Sequence, residues 1–168
     1  MITAVYAQQM ARYNRWQNSQ LTGFLEALSA EELARDRGAF FGSILGTANH
    51  LLWGDAIWMS RFDGGPGPEG GIPHSAALHN DLAEWLPARR EMDDRIARWA
   101  DGLSDAALTG EMTWFSGAAG REVSKPVAML VVQMFNHQTH HRGQIHKMLT
   151  ETGSKAPVSD LFFMPEDV

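Results

Sequence analysis

Apolar residues recur at helical spacing in four stretches of the chain. The first runs roughly from Thr3 to Leu28, with Val5, Met10, Tyr13, Trp16, Leu21, Phe24, Leu25 and Leu28 on an imperfect stripe. Ser29, followed three residues later by Glu32, reads as a capping box for a short helical turn, and Gly38 and Gly42 then mark a loop. A second helix is predicted from Ser43, as N-cap, to about Phe62. Ile44, Ala48, Leu51, Asp55, Trp58 and Phe62 share one face, while Trp53 and Ile57 lie on others, so this helix is expected to be buried on more than one side. The Gly- and Pro-rich run from Asp63 to Pro73 reads as a surface loop.

A third helix is expected from about Asn80 to Ala100, with Leu82, Trp85, Leu86, Arg89, Met92, Ile96 and Trp99 at helical spacing. Pro87 inside it should kink it or move its start. Partial alternation in Gly110–Phe115 and Arg121–Val123, around the turn Ser116–Gly120, predicts a short β-hairpin. The fourth helix has Ser124 as its expected cap, Pro126 in its first turn and Gly153 just past its end. The tail Leu161–Met164 is apolar enough to be expected to pack on the bundle or on a second subunit. Four long helices with a hairpin before the last define an all-α four-helix bundle, the architecture in which metal sites form between facing helices.

Composition narrows the chemistry. A length of 168 residues suits a single domain, 1–168, and 44% apolar content with six Trp and eight Phe supplies core material. The chain has no Cys, which excludes disulfides, thiolate catalysis and Cys-based zinc sites, so any metal must rest on His, Asp or Glu. The net charge of −6, with no Lys/Arg cluster longer than a pair, argues against nucleic acid as a partner. The first residues lack the pattern of a signal peptide, and no apolar run approaches the ~20 residues that span a bilayer. A soluble, cytoplasmic protein with no membrane partner is the expectation.

The chemistry concentrates on the fourth helix. Leu130, Met134, His137, His141, Ile145 and Met148 follow the spacing of a core-facing stripe, so two histidines stand where the pattern asks for Leu. Residues four apart on a helix are separated by ~40° and ~6 Å, so both imidazoles can converge on one ion. Burying them unpaired would be costly, and ligation satisfies one nitrogen of each. His140 falls on the flank of this pair, Gln144 comes close enough to line the same cavity, and His146 should face solvent on the opposite side. Gln138 after His137 removes the general base of H-E-x-x-H proteases, and no histidine has Glu three residues before it, as di-iron bundles require. A mononuclear, histidine-rich site remains, and with three protein ligands such a site keeps an open position. The third ligand must come from another helix. His50 is the only histidine within the other predicted helices, yet it lies on a flank of small residues (Ser43, Thr47, Gly54) rather than on the main stripe. Asp55 is on that stripe and could bind metal, orient a ligand or pair with an interior Arg, whereas His74 and His79 lie in or near the long loop, where solvated side chains are expected.

At these residues the chain resembles the DinB/YfiT-like family of metal-dependent proteins, which is unrelated to the DNA polymerase of the same name. The resemblance is carried by Tyr13–Asn18 and by the segment from Arg37 through Ser43 to His50, Asp55 and Trp58. The run His137–Gln144 (H-x-x-x-H-R-G-Q) and the tail Gly153–Leu161 complete it. It implies a four-helix bundle holding one divalent ion, zinc or nickel, on His50, His137 and His141, and often a homodimer. It also implies relatives that use low-molecular-weight thiols in transfer or isomerisation. A small-molecule thiol at the open position is then the leading expectation for a substrate, and Gln144 and His140, from their places beside the histidine pair, are the candidates for orienting it or a bound water. A metal-dependent hydrolase is one alternative; the other is a non-catalytic, metal-stabilised bundle acting in stress response or partner binding.

Overall fold

The computed structural model describes residues 2–168. Four long helices form the bundle: α1 (Ala4–Glu26), α3 (Ile44–Phe62), α4 (Leu82–Asp101) and α5 (Val127–Glu151). The short α2 (Ala30–Ala34) follows α1, and a two-stranded antiparallel hairpin, β1 (Glu111–Ser116) and β2 (Arg121–Pro126), precedes α5. Helix α1 packs on α4, and α3 packs on both α5 and α4. Among the described residues, no helix is long and apolar enough to cross a membrane.

Local chemistry explains most boundaries. Thr3, Ser29, Ser43 and Asp81 each accept a hydrogen bond from the backbone N–H three residues on, which satisfies a donor that a helix start otherwise leaves open. Helix α4 runs unbroken through Pro87. The missing N–H would have met the carbonyl of Ala83, an exposed residue whose oxygen water can reach, so the break expected there is not forced.

Ser124 does not cap α5. It lies in β2, where its Oγ accepts from Thr113 Oγ1 at 3.1 Å and donates to Glu111 Oε2 at 3.1 Å. A residue before proline prefers extended backbone, so Lys125 stays in the strand and the helix opens only after Pro126. The stretch after the Gly/Pro run is also more ordered than a plain loop, because Ile72–Ala77 form a 3-10 helix. Asn49 Nδ2 ties that segment to α3 by donating to the carbonyls of Ala76 (3.1 Å) and His79 (2.9 Å).

The apolar core is built on Leu25, Ile44, Met59, Trp85, Ile96, Met134, Phe135 and Ile145. On α1 the buried positions near the start are Ala4, Ala7 and Ala11, while Val5, expected inside, is exposed. The tail is tied to α1 through its backbone carbonyls. Gln17 and Gln20 donate to the carbonyl of Val158 and Tyr13 Oη donates to that of Ser159, yet Leu161, Phe162 and Phe163 remain exposed.

A polar network crosses the middle of the bundle and joins all four long helices. Arg89 Nη1 donates to Asp55 Oδ2 at 2.6 Å and Nη2 to Asp93 Oδ1 at 2.8 Å. Gln138 Nε2 donates to Asp55 Oδ1 at 2.9 Å, and Asn18 and Asn14 donate to Asp93 Oδ1 at 2.7 and 3.1 Å. Arg142 donates in turn to Asn14 Oδ1. Every one of these side chains is buried. The two arginines and two aspartates balance in charge, which is the condition under which ions persist in a core.

Candidate metal centre

Helix α3 is enclosed almost all round, from Gly46 to Ala56, so its flank as well as its main stripe faces protein. That flank presents His50 to α5. On α5 the buried face is wider than a two-position stripe: it takes in Phe135, Gln138, Arg142 and Leu149 besides the expected residues. His141 lies inside it and His137 at its half-buried edge, turned toward His50. The three imidazoles thus meet, each offering one ring nitrogen, with all three nitrogens within 4.8 Å of one another.

Two of the three rings have their tautomer set by neighbours. Ser75, fully buried on the 3-10 helix, gives its hydroxyl proton to the carbonyl of Ile72 at 2.7 Å. Its Oγ therefore accepts from His50 Nδ1 at 2.8 Å, and His50 Nε2 is left as a lone pair. On the other side His141 Nδ1 donates to Gln144 Oε1 at 2.8 Å, which frees Nε2 in the same way. Gln144 then donates through Nε2 to His140 Nε2 at 3.2 Å. Such partners on the far nitrogen are the usual support of a metal-ligating histidine.

His137 completes the set. Its Nε2 stands 3.1 Å from His50 Nε2, a span that two nitrogens can take up on one ion with bonds of about 2.0–2.1 Å. Its Nδ1 is buried without a partner. The ring lies against Gly54, where an added Cβ would come 2.5 Å from His137 Cε1, so only glycine leaves room for it. Without a cation the facing Nε2 atoms need a proton between them; a cation takes both lone pairs. The residues present therefore fit a divalent ion held by neutral nitrogen donors.

The electrostatics agree with that donor set. Burial, reinforced by the neighbouring histidines, lowers the pKa of His50 to about 3. Burial together with His141 lowers that of His137 to about 4, opposed by Asp55. Burial also lowers that of His141, against the hydrogen bond to Gln144. All three rings are uncharged at neutral pH, the form in which imidazole binds metal.

Other candidates separate cleanly. Asp55 spends both oxygens on Arg89 and Gln138, so it pairs with an interior Arg instead of ligating. His140 stands exposed beside His141, ring centroids 4.8 Å apart, with Nε2 already accepting from Gln144. His74 is exposed, and His79 contributes a backbone carbonyl to Asn49. His146, expected in solvent, is half-buried at a small cavity shared with Tyr13 and Arg142, because the tail closes over that side of α5. Ser75 had no signal in the sequence, being one hydroxyl in a stretch read as near-loop. Gln138 was conspicuous only for not being Glu.

The shell around the ligands can be tested separately from them. Ser75→Ala is expected to weaken metal binding by about 10–100-fold while leaving the fold intact, because it removes only the acceptor that orients His50. Gly54→Ala should weaken it as well, by driving the His137 ring out of place. Chelator competition read against circular dichroism checks both, and unchanged affinity in the pair would sink the assigned tautomers.

An all-α bundle with a three-histidine group between α3 and α5, able to hold a metal ion, defines the class. The sequence matches the DinB family over residues 1–167, and the chain belongs to that family. It is 25% identical over 161 residues to Protein DinB of Bacillus subtilis (strain 168), covering 92% of this chain and 91% of that one. Its fold is similar to the crystal structure of a DinB-like protein from Bacillus cereus ATCC 10987, with a TM-score of 0.63 at 18% identity over 86% of this chain and 91% of that one. A DinB-like protein from Bacillus subtilis gives a TM-score of 0.63 at 16% identity over 90% of this chain and 97% of that one.

Proposed function

We propose that the chain is a metal-dependent enzyme in which His50, His137 and His141 hold one divalent ion, zinc or nickel, and a small thiol occupies the remaining position. The observation that supports it is the tautomer pattern: two Nδ1–H groups already donate to Ser75 and Gln144, leaving Nε2 lone pairs toward a shared point with His137. When bound, the ion supplies Lewis acidity, under which a coordinating thiol gives up its proton.

The chain's own residues do the rest. Ser75 and Gln144 hold the ligand rings in the binding tautomer, and Gly54 leaves the space His137 needs. Phe41 stacks on His50 with centroids 3.7 Å apart, and Trp53 lies nearly parallel on it at 6.1 Å, so the floor of the site is shielded from water. Gln144 and His140 form the polar side of the opening, where they would orient the substrate. Three protein ligands favour an open site over the closed, four-ligand arrangement of structural zinc, since Asp55 and His140 are both engaged elsewhere. A second copy of the chain is the expected partner, with the exposed residues Leu161, Phe162 and Phe163 as its apolar contact.

Metal analysis of the purified protein is expected to find one zinc or nickel per chain. The cobalt- or nickel-loaded protein is then expected to show a thiolate absorption band with small thiols and to consume a model electrophile. No metal uptake would sink the reading outright. Stoichiometric metal with no response to any thiol would move the assignment to a non-catalytic, metal-stabilised bundle.

A further inference from the structure

The opening above the three histidines has two unlike sides. Gln144 and His140 form one; Phe40, Phe41, Trp53 and Ile72 form the other. Among the described residues, no Lys, Arg, Asp or Glu lines it. Arg37 and Lys147 line a neighbouring groove that shares Phe40, His140 and Gln144 with this opening, and they pair with Glu32 and Glu151, each at 2.5 Å. A carboxylate or ammonium on a ligand would find no counter-charge among the residues that line the opening itself.

The apolar side is exposed to solvent and held in place. Phe40 is 84% exposed and Ile72 45%, although both stand at the mouth of the site. Phe40 sits on a tied turn: Gly42 N donates to the carbonyl of Ala39 and Arg37 N to that of Gly42, both at 2.8 Å. Gly38 and Gly42 take the positive φ values, 67° and 73°, that close this turn. Phe41 is fixed from below by its stack on His50 and meets Phe40 edge-on at 4.9 Å. Large apolar side chains held in water beside a ligand position mark a surface that a ligand covers.

We infer that the molecule entering the open position carries a flat apolar body, an aromatic or comparable thiol, in preference to a peptide-like or carboxylate-bearing one. This deepens the proposed function and rests on its metal reading. Its polar demand is met by Gln144 and His140, and its body lies against Phe40, Phe41 and Ile72.

Hydroxamates test this independently of whether the natural donor is a thiol, because they place one metal-binding group on different bodies. Benzohydroxamate, acetohydroxamate and the monohydroxamate of succinic acid are titrated calorimetrically onto the full chain, after its metal content has been measured. Benzohydroxamate is expected to bind at least about tenfold more tightly than the other two, the scale of burying a phenyl group. Phe40→Ala should reduce that advantage, the ratio of benzohydroxamate to acetohydroxamate affinity, several-fold with one metal per chain retained. Equal affinities, or tightest binding of the carboxylate-bearing probe, would overturn the inference. A chain that takes up no metal overturns the metal reading and this inference with it, whereas stoichiometric metal with equal probe affinities overturns the inference alone.

Discussion

Replacing His137 or His141 by alanine is expected to abolish stoichiometric metal uptake, weakening affinity by more than about 100-fold, beyond what loss of a supporting partner costs. His146→Ala is expected to leave it intact, since that ring lies at a cavity on the tail side of α5. Metal content after dialysis, with affinity from chelator competition, reads the outcome; uptake retained by either ligand variant would refute the assigned triad. The same histidines predict a pH response. In the metal-free fold the pKa values of His50 and His137 are lowered to about 3 and about 4, whereas the unfolded chain titrates near ~6.5. The unfolded state therefore binds more protons between these limits. The histidine contribution to stability is fully present above ~6.5 and is lost as pH falls toward 4 and below. Added metal should steepen this loss, because protons and metal compete for the same lone pairs.

Arg89→Met is expected to destabilise the fold by about 3–5 kcal/mol, the cost of leaving buried charge without its partner. Arg89 is the shared cation of Asp55 and Asp93, at 2.6 and 2.8 Å, and all three are buried. Burial already pushes the Asp93 carboxyl up to about 6, against the pull of Arg89 and Asn18. Without Arg89 that value should climb further. A raised folded pKa adds stability below it and withdraws it as pH rises through it, so the deficit of Arg89→Met should be largest at neutral pH and shrink on acidification. Urea unfolding of both proteins across pH checks the size and the slope together. A loss under about 1 kcal/mol would mean that the network adds little to stability. Because Gln138 and Asp55 adjoin His137 and Gly54 in the chain, the same variant should loosen the metal centre, as weaker metal binding.

The extent to which the site was legible differs from residue to residue. His137 and His141 stood out because an α-helix has a fixed period, and polar side chains at apolar positions of that period need a reason to be there. The four helices were legible for the same reason, with the capping residues Ser29 and Ser43 marking where hydrogen-bonding chemistry changes, and the hairpin was legible from alternation around a Gly-rich turn. Pro126 moved one boundary, since the restraint proline places on the preceding residue outweighed the capping tendency of Ser124. His50 was reached mainly by family resemblance, its place as the one histidine within the other predicted helices being a weaker pointer. A flank of small residues says nothing about direction until the packing of α3 against α5 closes it in.

What the sequence alone determined is therefore periodic: the order of the helices, the inward faces of α4 and α5, and that two imidazoles turn inward together, whereas on α1 Ala4, Ala7 and Ala11 took the place expected for Val5. The tertiary structure decided everything that depends on approach between distant segments. It brought Ser75 and Gln144 to the far nitrogens of His50 and His141, set Gly54 under His137, and assigned Asp55 to Arg89 instead of to a metal. It also left Phe40 in solvent at the mouth of the site. Periodicity encodes direction around one axis, whereas a hydrogen bond between segments depends on how two axes are placed, and that placement is settled only when the whole core packs.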